Sequence, residues 1–450
     1  MALVVKIKSG IHAISIRKVL IIAFSIRIAW YLFILFTNPG GFWLYDSNGY
    51  WNLAYNLKEY GIFSQTSDTY QEPLLPDYFR TPLYPFLIYP TLWVDMSGST
   101  VPLINIVFDC LTCWLIYKTV YLIVKNENYA KAGSLVYAIH IPAVLFSSFV
   151  LTETVFAFLI LLFVYLFFKC NLSPGWKNGL LCGFAGGLCV MCKPLGFVLI
   201  FPAIIFLLVR HKLTVKALST VCIMVLAFYA VQFPWMQRNK NTFGRYFNSV
   251  LGEHLILGYH AAHVYAKANH VNYFDAKEML INECFQGIDY DPYKHPYEYA
   301  KRAEQKAYEV LWNNKFIFLR EHSKECIKFF LQPMKMYTTH QLGKHAYTKF
   351  VTWCLVALQV CISFVLLSTI AFALYRYLRR QLKLHWFTWF LLVLMLLFAQ
   401  FNTMPYTDAR MRLPVDPLLI VLFVLVSFAL APAKNTYNQQ LKLLFTKRSA

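Results

Sequence analysis

Ten apolar runs of near membrane-crossing length leave this chain few folds to choose from. They lie near 19–37, 101–124, 130–149, 153–169, 178–192, 195–209, 214–234, 349–375, 386–405 and 414–432, and a helix needs roughly 17–25 such residues to cross about 30 Å of hydrocarbon. In lipid every backbone N–H and C=O must be satisfied within its own element, so such runs become helices. Composition agrees: hydrophobic residues are 58% and charged residues 14% of the chain, against about 45–50% and about 25% in soluble domains. Too little polar surface remains to coat a water-soluble globule. The net charge of +20 could suggest nucleic acid, but the basic residues sit in short clusters between apolar runs, so no nucleic-acid partner is expected.

Those clusters give an orientation. Lys6, Lys8, Arg17 and Lys18, then Lys125 and Lys131, Lys169 and Lys177, Arg210, Lys212 and Lys216, Arg376, Arg379, Arg380 and Lys383, and finally Lys434 to Arg448 fall on one side of the predicted spans. Lys and Arg enrichment marks that side as cytoplasmic. No small-residue cleavage site follows the first run before Phe42 to Tyr45, so it reads as a retained helix. Parity requires two choices. The Pro-rich segment Pro82 to Trp93 lies in the interface, and Lys193-Pro194 turns a hairpin of two short helices at the outer side. Cys110 with Cys113 and Cys189 with Cys192 have C-x-x-C spacing but lie inside apolar runs, and like Cys222 and Cys361 they read as small buried hydrophobes. Arg27 and Asp109, inside spans, are expected to form a structural pair. Residues 298–332 have helical spacing and end at Pro333. The expected fold is an all-α polytopic membrane protein of about ten transmembrane helices. Residues 1–234 form an N-terminal membrane region with a first outer loop at 38–100 that carries interfacial helices. A mainly helical outer-side region follows at 235–348, then a C-terminal membrane region at 349–450.

Charged residues then stand out by where they fall. Asp46, Arg80, Glu153, Lys193, Arg238, Arg245, Asp408, Arg410 and Arg412 all lie on the outer side at or near helix ends. Outer Lys and Arg run against the topological trend. Several at one depth point to an anionic ligand there, and a lipid phosphate matches Arg forks and a Lys point charge. Taken alone, each could be a snorkelling anchor. Asp46 opens an amphipathic stretch that runs to Tyr60 and closes at Gly61, where an ordinary helix cap would explain its type. His254, His260, His263 and His270 have roughly helical spacing but no accompanying carboxylate pattern, and read as a solvated face.

The rest of the first outer loop carries more than a cap. Asp46-Ser-Asn-Gly-Tyr50, Leu53-Ala54-Tyr55-Asn56-Leu57, Gly61-Ile-Phe-Ser64 and Arg80-Thr-Pro-Leu-Tyr-Pro85 together resemble the first outer loop of the C-fold glycosyltransferases that use polyprenyl-phosphate sugars, the type that includes aminoarabinose–lipid A and protein O-mannosyl transferases. The resemblance continues with Leu151-Thr-Glu153-Thr opening a helix and with a Gly-rich helix from Gly183 to Pro194. Pro234-Trp-x-x-Arg238-Asn239-x-x-x-Phe243-Gly244 and Ala409-Arg-Met-Arg412-Leu-Pro414-Val-Asp-Pro417 complete it.

It implies a membrane enzyme that moves a sugar from a polyprenyl-phosphate donor, undecaprenyl in a bacterial inner membrane, to an acceptor hydroxyl at the outer, periplasmic face. The acceptor is a glycan, a lipid or a protein. A phosphate is already a good leaving group, so the chemistry needs a base for the acceptor proton and cations for the departing phosphate. Asp46 is the expected base. Many relatives carry an Asp-Glu pair there, but Ser47 follows Asp46 here, so the second carboxylate is expected to be Glu153. Arg80, Lys193, Arg238, Arg410 and Arg412 form the expected phosphate set, and Tyr50 and Tyr84 are expected to pack on sugar or prenyl groups. No cofactor is expected, and a divalent metal is disfavoured because Phe79 stands where some relatives have an acidic ligand. A lipid-linked glycan polymerase or ligase, and a transporter or flippase of lipid-linked sugars, are the competing readings. Asp46 at the head of a long first outer loop is the feature that neither of them requires.

Overall fold

The structure, a computed structural model, describes residues 14–66, 74–286, 295–403, 405 and 408–431, and among these every regular element is helical. Lys6, Lys8 and the stretch from Lys434 to Arg448 lie outside the described residues. Within the described residues each of the ten apolar runs is largely helical. Among the described residues seven helices are long and apolar enough to cross a membrane: Ile16–Thr37, Val101–Val124, Glu153–Leu172, Pro194–His211, Val215–Phe243, Thr348–Leu378 and Ala409–Leu430. Trp176–Cys192 and Trp386–Asn402 have 17 residues each, the short limit for a span.

The remaining run, expected to be one helix over 130–149, is a pair, Glu127–Ala138 and Ile141–Ser147, bent by 56°. Pro142 lies in the first turn of the second segment, where its missing N–H cannot continue the ladder. Carbonyls freed at the break need donors within the membrane. Arg27 supplies them, donating from Nη1 to the Ala138 carbonyl at 2.8 Å and from Nη2 to that of Tyr137 at 3.4 Å. Its Nε pairs with Asp109, which also accepts from the Tyr137 hydroxyl. The expected Arg27–Asp109 pair therefore forms, and it also repairs a broken helix.

Trp176–Cys192 packs backbone to backbone on Val215–Phe243. A Cβ on Gly183 would fall 2.1 Å from the Met224 carbonyl oxygen, and one on Gly187 would fall 2.7 Å from Val231 Cβ. Glycines four apart on one face permit that approach, as small residues do between membrane helices. The consequence is positional: this helix presents Lys193 at its end, in extended backbone that leads into the Pro194–Leu199 turn.

Val215–Phe243 has 29 residues, contains Pro234 and stops at Gly244, whose φ of 77° suits glycine. The helix does not end at the expected boundary of 234 but carries Arg238 beyond the apolar run. The expected helix over 298–332 is two helices, Pro296–Asn313 and Lys315–Leu331. They share a small core of Leu257, Ala261, Leu280, Ala303 and Ala307 with the preceding segments. The helix Lys335–Leu342 ties this region to the membrane bundle through Gln341, which accepts from Trp30 Nε1 at 2.9 Å and donates to the Leu145 carbonyl at 3.0 Å. At the opposite end of the bundle, Arg210 stacks on Trp386 at 4.5 Å and His211 bonds the Asn171 carbonyl at 2.9 Å.

Candidate active site

The helix Tyr45–Tyr60 begins without help from Asp46. Ser47 Oγ accepts from the Leu44 N–H at 2.9 Å and closes the first turn. The capping explanation for Asp46 therefore does not describe what its side chain does. One oxygen, Oδ1, accepts from Arg80 Nη2 at 2.8 Å, and the other, Oδ2, meets Arg410 Nη2 at 2.7 Å. Arg410 Nε donates in turn to Glu153 Oε1 at 2.6 Å, and Lys193 Nζ reaches the same oxygen at 3.0 Å. A single chain of alternating charge thus runs Arg80, Asp46, Arg410, Glu153, Lys193, across residues that span 364 positions of sequence (46 to 410).

Each member is held from behind. Tyr50, one helical turn after Asp46, accepts from Arg80 Nη1 at 2.8 Å and stacks under the guanidinium at 4.5 Å. Asp77 accepts the Arg80 N–H at 2.7 Å and bonds the Gln65 amide, fixing the turn that presents Arg80. Burial raises the Asp77 carboxyl, because the desolvation outweighs those bonds. Arg410 follows Asp408, whose Oδ1 caps the Arg410 N–H at 2.8 Å while its Oδ2 accepts from the Tyr337 hydroxyl at 2.6 Å. Glu153 opens the helix Glu153–Leu172, whose N-terminal dipole favours a carboxylate.

Burial alone would raise the Asp46 carboxyl, but Arg410 and Arg80 outweigh it and hold it well below the usual carboxylate range. Burial also works against the Arg80 cation, yet Tyr50 and Asp46 raise its pKa above the ordinary value. Asp46, Tyr50, Arg80, Lys193 and Arg410 line a cavity of about 940 Å³, together with Tyr45, Phe79 and Asp408. Leu255, Tyr259, Tyr273, Phe274 and Lys277 of the outer-side region close it from above. One face of the cavity is therefore charged and the other largely aromatic.

Four expected site residues take other parts. Glu153 has a side chain 1% exposed and lies behind Arg410 and Lys193, so it positions those cations and does not face the cavity. Arg412 is buried, bonded through Nε to Asp416 at 2.9 Å and through Nη1 to the Phe330 carbonyl at 2.7 Å, with His140 on the other Asp416 oxygen at 2.8 Å. It joins the last membrane helix to the outer-side region. Arg238 donates to the Asp77 carbonyl at 2.7 Å and stacks on Trp235 at 4.7 Å, which places it behind the Arg80 turn. Tyr84 is fully buried, edge-on to Tyr50 at 5.3 Å, with its hydroxyl accepting from Asn105 at 3.3 Å; burial raises that phenol well above its usual pKa. Asp77, Tyr337 and Lys277 are the residues that sequence reasoning missed. Tyr337 acts on Asp408, 71 residues away, and Lys277 reaches the cavity only through the fold of the outer-side region, whereas Asp77 lies three residues before the Arg80 whose N–H it accepts.

Among the described residues no group of three or more His, Cys, Asp or Glu is placed to hold a metal ion. The histidines pack on aromatic rings: His254 lies 4.8 Å from Phe79, and His260 lies 5.7 Å from His322.

Comparison with known proteins bears on this geometry. The archaeal oligosaccharyltransferase AglB from Archaeoglobus fulgidus, solved in complex with an inhibitory peptide and a dolichol-phosphate, matches over 96% of this chain with a TM-score of 0.51 at 14% identity. This is the C-type glycosyltransferase fold. The C-fold scaffold here spans 54% of the AglB chain. Residues 80–236 match the family described as dolichyl-phosphate-mannose-protein mannosyltransferase, a segment that runs from Arg80 through Glu153 and Lys193. The apo structure of ArnT from Cupriavidus metallidurans matches over 85% of this chain and 73% of its own, at 13% identity and a TM-score of 0.33. No curated protein matches the sequence.

Proposed function

We propose that this protein is a membrane glycosyltransferase that moves a sugar from a polyprenyl-phosphate donor to an acceptor hydroxyl. The observation that carries the reading is Asp46, a carboxylate on a cavity wall flanked by Arg80 and Arg410, with Lys193 beside them. The three cations hold the donor phosphate and take up the charge that develops as it leaves. Asp46 takes the acceptor proton, and Tyr50 lies beneath the Arg80 guanidinium at the cavity wall. The dolichol-phosphate held in the AglB complex and the mannosyltransferase match support a lipid-linked donor. An undecaprenyl chain in a bacterial inner membrane is the version we favour. A transporter or flippase of lipid-linked sugars would not require Asp46 at the head of the first outer loop.

The deciding experiment is Asp46→Asn, assayed with a synthetic undecaprenyl-phosphate sugar in detergent. Asn keeps the shape of Asp46 but cannot accept a proton, and general-base contributions are about 10²–10⁴-fold, so transfer should fall by that factor while the protein still folds. Full transfer by this variant would leave the reading without a base. The positive-inside pattern supports a site on the extracytoplasmic face. A Lys193→Cys protein on a cysteine-free background should then react with an impermeant thiol reagent in intact cells, and reaction only after permeabilisation would reverse the orientation.

A further inference from the structure

The cations that would bind the donor are already occupied. Arg80 is committed to Asp46 through Nη2 and to Tyr50 through Nη1, Arg410 to Asp46 through Nη2 and to Glu153 through Nε, and Lys193 to Glu153. The proposed base is equally occupied, with a guanidinium on each oxygen at 2.8 and 2.7 Å. Binding and proton transfer are thus both blocked by the same two ion pairs.

A phosphodiester offers oxygens at nearly the spacing of a carboxylate, so it competes for the same guanidinium forks. Glu153 cannot be the partner that yields. Its side chain is 1% exposed against 27% for Asp46, and an unpaired charge at Glu153 would be far more costly. Asp46 is the exchangeable partner.

We propose that the donor phosphate displaces Asp46 from Arg410 and Arg80, so that the carboxylate stays locked as a counter-ion until the donor arrives and is released as the base by its own substrate. The proposal rests on the reading of Asp46 as base given above. Exchange swaps one anion for another on the same cations, so the number of ion pairs is kept. Freed Asp46 then loses two cationic neighbours and gains an anionic one, and both changes strengthen it as a base. In the step that follows, the acceptor O–H proton passes to a carboxylate oxygen of Asp46, and the acceptor oxygen bonds to the anomeric carbon. The bond from that carbon to the phosphate oxygen breaks with its electron pair on the phosphate, which leaves as a dianion on Arg80 and Arg410. When the prenyl phosphate departs and Asp46 gives its proton to solvent, the ion pairs close again. Without a donor the site holds no free base to activate water.

The test is equilibrium binding of undecaprenyl phosphate, without sugar, to the full-length protein in detergent, for wild type, Asp46→Asn and Asp46→Ala. Removal of the competing charge should tighten binding in both variants by about three- to thirtyfold, the range expected when charge-assisted contacts no longer have to be surrendered. A variant that merely disturbs the loop would bind more weakly, so tightening is not a trivial result. Unchanged or weaker binding in both variants overturns the exchange, even where transfer by Asp46→Asn is abolished and the base reading survives. Tighter binding with full transfer by Asp46→Asn removes the base and the proposal with it. Absence of binding to all three proteins overturns the donor class and the exchange together.

Discussion

Replacing Glu153 by glutamine separates the two carboxylates of the site by what each does. The Glu153 carboxylate, 1% exposed, accepts from Arg410 at 2.6 Å and from Lys193 at 3.0 Å on a single oxygen. Glutamine keeps the shape and can leave its carbonyl oxygen facing both cations, but the charge is gone, so Arg410 and Lys193 lose their buried counter-charge. The loss is at least one charge-assisted bond, about 1.5–3 kcal/mol, and approaches the about 3–5 kcal/mol seen when one partner of a buried pair is removed. We expect about 3 kcal/mol, a fall in melting temperature of roughly 6–12 °C at about 2–4 °C per kcal/mol. Asp46 is 27% exposed, and solvent screening holds the loss in Asp46→Asn to below about 1 kcal/mol, or roughly 3 °C. Melting followed by intrinsic fluorescence in one detergent compares the two directly. The positioning role assigned to Glu153 fails when Glu153→Gln melts within about 2 °C of wild type, or when Asp46→Asn falls as far as it does.

Arg80→Ala should raise the KM for the lipid-phosphate donor about ten- to a hundredfold, the equivalent of one charge-assisted contact of about 1.5–3 kcal/mol, and an unchanged KM would take Arg80 out of the phosphate set. His260 has its pKa pushed down to about 4 by burial and by the neighbouring His322 and His263. Its folded pKa lies below the unfolded value of about 6.5, so the unfolded state binds more protons between the two. Stability should therefore fall as pH drops from 6.5 towards 4 and be recovered above it. His260→Gln should flatten that part of the melting profile, and an unaltered profile would show that other groups set it.

Much of the fold was legible because the requirement that shapes it is local. A run of apolar residues must satisfy its own backbone in lipid, so the helix from Val101 to Val124 has the bounds expected from its sequence, and Glu153–Leu172 differs only in its end. The bend at 139–140 was not foreseen, because Pro142 in a first helical turn is compatible with a continuous helix or a break, and the carbonyls it frees are taken by Arg27 from another helix. In the site, Asp46, Arg80, Lys193 and Arg410 meet as their positions at helix ends suggested. Their support was invisible: Tyr337 reaches Arg410 only through Asp408, 71 residues further along the chain.

The sequence by itself determined the membrane class of this protein, the helices that build it and the depth at which its charged residues gather, since composition and spacing along one run decide each of these. Which of the gathered charges face one another was decided only by tertiary packing. Arg410 and Arg412 are two residues apart, a turn of about 200° around a helix. The first therefore joins Asp46 at the cavity while the second is buried against Asp416. Glu153 and Asp46, both carboxylates at helix starts, differ in the same way. Packing leaves one 27% and the other 1% exposed, and that difference in solvent access makes Asp46 the exchangeable carboxylate and Glu153 the fixed one.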